Sequence, residues 1–160
     1  MISFIHLLLM IVAANSSPII MYKLLHHKYN YAIDAGLIFF DDQPLLGTSK
    51  TWRGIISSLL ITSIIGIILG YAASIGFLIS LLAMAGDLCS SFIKRRLKRP
   101  PSSKAILLDQ IPESLLPAAV MMHLFGLNYF SVFALTSLFI IFEIYMSKIL
   151  YLWGIRKRPY

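Results

Sequence analysis

The sequence predicts an all-α polytopic membrane protein of about five transmembrane helices, with the N-terminus outside and the C-terminus cytoplasmic. Three observations predict it: a chain too poor in charge to cover a water-soluble globule, five apolar runs of spanning length, and basic residues confined to alternate connections. Of 160 residues, 58% are hydrophobic and 13% charged, with a mean hydropathy of +0.80. Soluble domains average about 45–50% apolar and about 25% charged. Lipid is therefore the expected solvent, and a single domain over 1–160 the expected organisation.

Crossing ~30 Å of hydrocarbon takes about 20 apolar residues at ~1.5 Å rise each. By that measure the spans are roughly 2–25, 53–72, 74–95, 110–126 and 129–152. The first run is not expected to be a cleaved leader, because a leader carries a basic n-region and no basic residue precedes Lys23. The single cysteine, Cys89, excludes an internal disulfide and any CxxC metal motif.

The formal charge of +7 does not point to nucleic acid, because its placement follows the membrane. Lys23, Lys28, Lys50 and Arg53 flank the first connection. Lys94, Arg95, Arg96, Lys98, Arg99 and Lys104 flank the third, and Lys148, Arg156, Lys157 and Arg158 close the chain. These sets hold all 14 Lys and Arg. Under the positive-inside rule all three regions are cytoplasmic, as an odd number of spans requires.

Polar residues within the spans are costly and mark function. In the first span, Asn15, Ser16, Ser17 and Pro18 interrupt the apolar run. Pro18 suits the first position of a helix with Ser17 as its cap, so the residues predict a break and a restarted helix whose N–H groups can hold an anion. A simple proline kink is the alternative. The following loop carries Asp34, Gly36, Asp41, Asp42 and Gly47, and ends Gly47-Thr48-Ser49-Lys50-Thr51-Trp52-Arg53-Gly54. Glycine permits close backbone approach, and Lys50, Thr51 and Arg53 offer cationic and hydroxyl donors. The P-loop spacing is absent, and a solvated basic loop would look the same.

The third span carries Asp87, about two turns inside its basic end, with Ser91, Lys94 and Arg95 at i+4, i+7 and i+8 on one face. Asp109 supplies a second carboxylate where the fourth span begins, after Pro100 and Pro101. Two carboxylates flanked by cations suit Mg²⁺ and a triphosphate, since Mg²⁺ takes one or two carboxylates plus waters and phosphates. An Asp87 ion pair tying two helices is the structural alternative. Glu113, at i+4 from Asp109, is a supporting group or a first-turn acid. Glu143 is expected to pair with a neighbouring helix, and His26, His27 and His123 to be interfacial.

Taken in order, Ala13-Ala14-Asn15-Ser16-Ser17-Pro18, Ile33-Asp34, Gly47 through Gly54, Gly86-Asp87-Leu88-Cys89-Ser90-Ser91-Phe92-Ile93-Lys94-Arg95-Arg96 and Leu108-Asp109-Gln110 resemble the CDP-archaeol synthase family. The segment from Ser91 to Arg95, followed by Asp109, is also similar to the signature of phosphatidate cytidylyltransferases. The resemblance implies a small helical membrane enzyme that uses CTP and Mg²⁺ to activate a membrane lipid phosphate on the cytoplasmic side of the cell membrane. It further implies that Asp87 and Asp109 hold the metal and that Lys94 and Arg95 act with them in catalysis. Asn15, Ser17, Asp34, Gly47, Lys50, Thr51, Arg53, Ser91 and Gln110 are the implied substrate-binding set. The chain departs from the family pattern at Asp42, where glycine is frequent. It departs again at Ile111-Pro112-Glu113-Ser114, where an Asp-Phe pair is usual. A CDP-alcohol phosphotransferase would need a D-G-x-x-A-R motif, which is absent. A transporter would need polar groups along a full path, whereas the outer halves of these spans are almost purely apolar.

Overall fold

The computed structural model describes residues 1–26, 28–100, 105 and 107–152. Of the charges read for topology, Lys104 and Arg156, Lys157 and Arg158 lie outside the described residues, as do His27 and Pro101. Five helices follow one another: α1 (Ile2–Leu25), α2 (Trp52–Ile68), α3 (Ala73–Arg96), α4 (Gln110–Met121) and α5 (Tyr129–Leu152). Each packs against the next in sequence, and α1 also packs on α3. The short connections over 69–72 and 122–128 reverse α2 to α3 and α4 to α5, while the contacts Pro18–Gly54 with Ala14–Ser58, and Lys94–Asp109 with Gly86–Pro112, run opposite ways along α1 and α2 and along α3 and α4; α1, α3 and α5 therefore run in one direction and α2 and α4 in the other.

The fold is all-α, in an integral multi-pass membrane protein. Helices α1, α3 and α5 are long and apolar enough to cross a bilayer. Helix α2, at 17 residues, reaches about 26 Å. The fourth run is shorter than its apolar composition predicts. Regular helix stops at Met121 after 12 residues, about 18 Å, where 110–126 was expected. The chain then turns, with Leu127 donating to the Met122 carbonyl at 2.8 Å and Gly126 at φ 63°.

The break expected at Asn15–Ser17 does not form, because α1 continues through Pro18. The Asn15 amide donates back to the Ile11 carbonyl at 3.0 Å and the Ser17 hydroxyl to that of Ala13, so Ser17 caps nothing. Pro18 has no N–H for the Ala14 carbonyl. The hydroxyl of Ser58 in α2 takes that carbonyl at 2.7 Å. A neighbouring helix thus satisfies the group that proline frees, which is how proline persists within membrane helices.

Small residues set the helix spacing, as expected where lipid removes the hydrophobic drive between helices. Gly76 of α3 lies against the backbone of Thr62 and Ser63, where any Cβ would overlap. Ser58 and Ser80 join hydroxyls across the same pair of helices at 2.7 Å. The apolar core, with Leu7, Met10, Ile79, Met121, Leu135 and Phe139, fills the half of the bundle nearer the N-terminus of α1. Polar side chains collect in the other half.

Candidate active site

The loop between α1 and α2 is folded by its own sequence. The Asp34 carboxylate accepts N–H groups from Gly36 (3.2 Å), Leu46 (2.9 Å) and Gly47 (2.8 Å). Gly47 stands at φ 93°, a left-handed conformation glycine adopts without a Cβ penalty. Burial works to raise the Asp34 pKa, but donors from Gly47, Leu46 and Gly36 outweigh it and hold the carboxyl below its usual range. Asp34, implied as a substrate contact, has both oxygens engaged by backbone and shapes the loop that carries Lys50.

A second tie fixes the loop to the end of α3. Arg96 pairs with Asp41 at 3.0 Å, donates to the Pro44 carbonyl at 2.7 Å, and lies over the rings of Phe39 and Phe92 at 4.4 and 4.9 Å. Sequence reading counted Arg96 only as a topology charge. Nothing in the sequence pairs residues 39–44 with 92–96, so this role carried no signal.

So folded, the loop delivers Lys50 to Asp87. The ammonium meets the carboxylate at 2.5 Å, with both side chains about one-fifth exposed. Asp87 stands nine residues before the end of α3, ~14 Å below it. A second pair is parallel in kind: Lys94 meets Asp109 at 2.7 Å, and Asp109 also accepts the Ala105 N–H at 3.2 Å. Gln110, buried beside it, accepts the Leu107 N–H at 2.8 Å. Ser91 is buried on the same face of α3.

Gly86 explains how the two pairs approach. It lies against the Pro112 carbonyl and the Glu113 N–H of α4, where a Cβ would overlap backbone. The first turn of α4 is thereby seated beside Asp87. Glu113, 6% exposed, is within electrostatic reach of Asp87, Glu143, Lys50 and Asp109, which joins the two ion pairs into one cluster.

Arg95 is the least satisfied member. Its side chain is 2% exposed, yet its Nε and Nη1 have no hydrogen-bond partner among the described residues. It feels the charge of Asp109 without bonding to it. A buried guanidinium with open N–H groups, close to the Lys94–Asp109 pair, is suited to a multiply charged anion.

Other implied contacts sit elsewhere. Arg53 donates to the carbonyls of His26 (3.0 Å) and Lys28 (2.6 Å) and lies over the Tyr22 ring, closing the end of α1. Thr51 caps α2, its hydroxyl accepting the Gly54 N–H at 3.3 Å. Asn15 lines a small cavity between α1 and α5.

The donor set fits a hard divalent cation by its chemistry. Asp87 and Asp109 each offer carboxylate oxygens matched to one ammonium, with the Glu113 carboxylate in electrostatic reach. Among the described residues, no three acidic or imidazole side chains converge into a cage of their own.

Comparison with known proteins finds relatives of described function. The family model described as CarS-like, CDP-archaeol synthase, matches residues 1–160. CDP-archaeol synthase of Thermofilum pendens is 41% identical over 103 residues, 61% of this chain and 50% of that protein. The Pyrococcus furiosus enzyme of the same name is 40% identical over 107 residues, 61% of this chain and 60% of that protein. The match therefore spans only about half to three-fifths of the length of these curated relatives. A solved structure, described as an intramembrane enzyme for archaeal membrane lipids biosynthesis, superposes with a TM-score of 0.75 at 27% identity. It covers 89% of this chain and 90% of its own.

Proposed function

The chain belongs to the CDP-archaeol synthase family, and from that premise we propose that it transfers the cytidylyl group of CTP to a membrane lipid phosphate. The preferred acceptor is the glycerol phosphate of an archaeol-type ether lipid. The observation that carries this reading is Arg95, buried with open N–H groups within electrostatic reach of Asp109, which pairs with Lys94. Such a site neutralises a polyphosphate and costs stability without one.

In the proposed reaction an oxygen of the lipid phosphate bonds to the α-phosphorus of CTP, and the bond from that phosphorus to the pyrophosphate bridging oxygen breaks. The attacking oxygen is already anionic, so no general base is required. Catalysis is then positioning and charge stabilisation. Arg95 and Lys94 hold phosphate oxygens at the α3 end, and Lys50 turns from Asp87 toward the triphosphate. Asp87 and Asp109 would hold Mg²⁺, which when bound neutralises charge on the triphosphate. The basic helix ends and the loop carrying Lys50 favour a site open to the cytoplasm, where CTP is available.

The test is pyrophosphate release by purified protein given CTP and Mg²⁺. Release is expected with an isoprenoid ether glycerol phosphate, and weaker release with a diacyl glycerol phosphate. No release with any lipid phosphate would overturn the proposal.

A further inference from the structure

Residues 37–45, in the connection before α2, fold back on themselves as a small hairpin. Phe39 donates to the Gln43 carbonyl and Leu45 to the Leu37 carbonyl, each at 2.8 Å, and Ile38 bridges to Pro44. The apolar side chains of its first strand do not turn inward. Leu37 and Ile38 are exposed, and Phe40 is 98% exposed. Neighbouring apolar groups left this bare, with charges at their rim, mark a surface that meets something other than water.

Where the hairpin rests decides what that is. Helix α3 is long and apolar enough to cross a bilayer. Its outward row runs Leu78, Leu81, Ala85, Cys89, Phe92 and Arg96 at i+3 and i+4 spacing, with the first four exposed. On a spanning helix such a row faces lipid. The hairpin lies on the last turn of this row: Phe39 is edge-on to Phe92 at 5.6 Å between ring centroids and to Phe40 at 5.0 Å, and Asp41 pairs with Arg96 at 3.0 Å. Helix α3 is ~36 Å long and hydrocarbon ~30 Å thick, so, counted from Ala73, the hydrocarbon ends close to Phe92. The Phe39 and Phe40 rings are therefore at the edge of the acyl layer. Beyond Arg96, Lys98 and Arg99 are exposed, the charge that anionic headgroups attract.

We infer that the 37–45 hairpin is an interfacial anchor: Leu37, Ile38 and Phe40 enter the boundary between headgroups and acyl chains beside α3, in the leaflet nearer the end of that helix. Aromatic rings favour that layer. Trp52 at the start of α2 and Tyr22 near the end of α1, both about half exposed, stand at the same end of the bundle. Asp42, exposed at the turn, stays among the headgroups. The hairpin leads directly into Leu46 and Gly47, whose N–H groups Asp34 holds, and Lys50 follows three residues on. The bilayer thus steadies the loop that brings Lys50 to Asp87, whichever reaction the site performs.

The experiment reads depth directly. In a Cys89→Ala background, a nitroxide is attached to Ile38→Cys or to Phe40→Cys, and the full chain is placed in nanodiscs of phosphatidylcholine and phosphatidylglycerol. Each label is expected to be relaxed more by oxygen, which concentrates in lipid, than by a water-soluble nickel chelate. Stronger relaxation by the chelate at both positions overturns the anchor, because the hairpin then stands in water. Shielding of both labels from both reagents also overturns it, because a second copy of the chain then covers the patch. Phe40→Asp gives a reading without a label. In nanodiscs, added protease is expected to cut the connection between α1 and α2 roughly tenfold faster in the variant than in wild type, while thermal unfolding in detergent is unchanged. Equal cutting rates, or a variant that unfolds earlier in detergent by as much as its loop is loosened, overturn the anchor.

Discussion

Lys50 and Asp87, separated by 37 positions in the chain, form an ion pair inside the bundle at 2.5 Å. It joins a loop to a membrane helix, so the same contact holds a fold together and closes a site. Lys50→Ala is expected to raise KM for CTP at least tenfold while the protein still purifies folded, because Asp87 is one-fifth exposed and water or a cation can replace the ammonium. Asp87→Asn is expected to abolish pyrophosphate release at normal folded yield. Asp109→Asn should do the same, with the double variant little worse than either single, since groups acting as a unit are non-additive. Near-normal turnover in either single variant would turn these contacts into a helix tie.

Gly86 is expected to tolerate no side chain. A Cβ there overlaps the Pro112 carbonyl and the Glu113 N–H, and backbone cannot yield as a side-chain tip can. Gly86→Ala should push α4 away from α3, costing about 1–3 kcal/mol as overpacking does, and should separate the Asp87 and Asp109 pairs. Thermal unfolding in detergent and turnover are expected to fall together. Gly70→Ala, at a turn where a Cβ meets open space but φ is 86°, should lower stability alone.

Much of this was legible in the sequence, and what was not has physical causes. Class and helix count follow from composition and run length, and α1, α3 and the start of α5 fall within a residue or two of their expected bounds. Helix α4 ends early because Gly126 and the turn before α5 consume residues as apolar as a helix. Pro18 misled for a related reason. The proline pattern is read correctly, but its effect depends on Ser58, 40 residues on, which supplies the missing donor. In the site, the acids and bases of α3 and α4 announce themselves as charges in apolar runs. Arg53 and Asp34 announce themselves equally, and the sequence does not show that Arg53 donates to carbonyls at the end of α1 or that Asp34 accepts N–H groups of its own loop.

Asp34 predicts a narrow pH dependence. Its folded pKa is lowered, by backbone donors that overcome burial. Its contribution is thus complete above the ordinary carboxylate pKa of 3.8 and is lost as pH falls through the lower folded value. Loop order, followed by proteolysis between α1 and α2, is expected to be flat from pH 8 to pH 5 and to fail only below about pH 4. Asp34→Ala strands three N–H donors and should loosen the loop at every pH, by about 1–3 kcal/mol. A wild-type transition near neutral pH would refute the assignment.

The charge placement predicts sidedness. With Cys89 replaced, a cysteine at Ser74, in the first turn of α3 next to the connection free of basic residues, should react with an impermeant maleimide from outside the cell. A cysteine at Lys98 should react only after permeabilisation. Equal labelling from one side would overturn the five-span topology.

Arg95 offers the sharpest separation of stability from function. It is 2% exposed with Nε and Nη1 lacking a hydrogen-bond partner among the described residues, a condition that costs free energy in the empty protein. A phosphate oxygen supplies what those N–H groups need, so the cost is recovered only on binding. Arg95→Met removes the charge and keeps an unbranched chain of similar reach. Removing a buried charge whose N–H groups lack partners removes its desolvation cost along with its attraction to Asp109. The variant is expected to melt no lower than wild type, while CTP binding by calorimetry weakens at least a hundredfold and turnover is lost. Arg95→Lys keeps the charge but not the planar fork of donors, and should recover part of the binding and little of the turnover. If Arg95→Met instead unfolds the protein, the guanidinium is a structural strut, and the anion site must be sought on Lys50 and Lys94 alone.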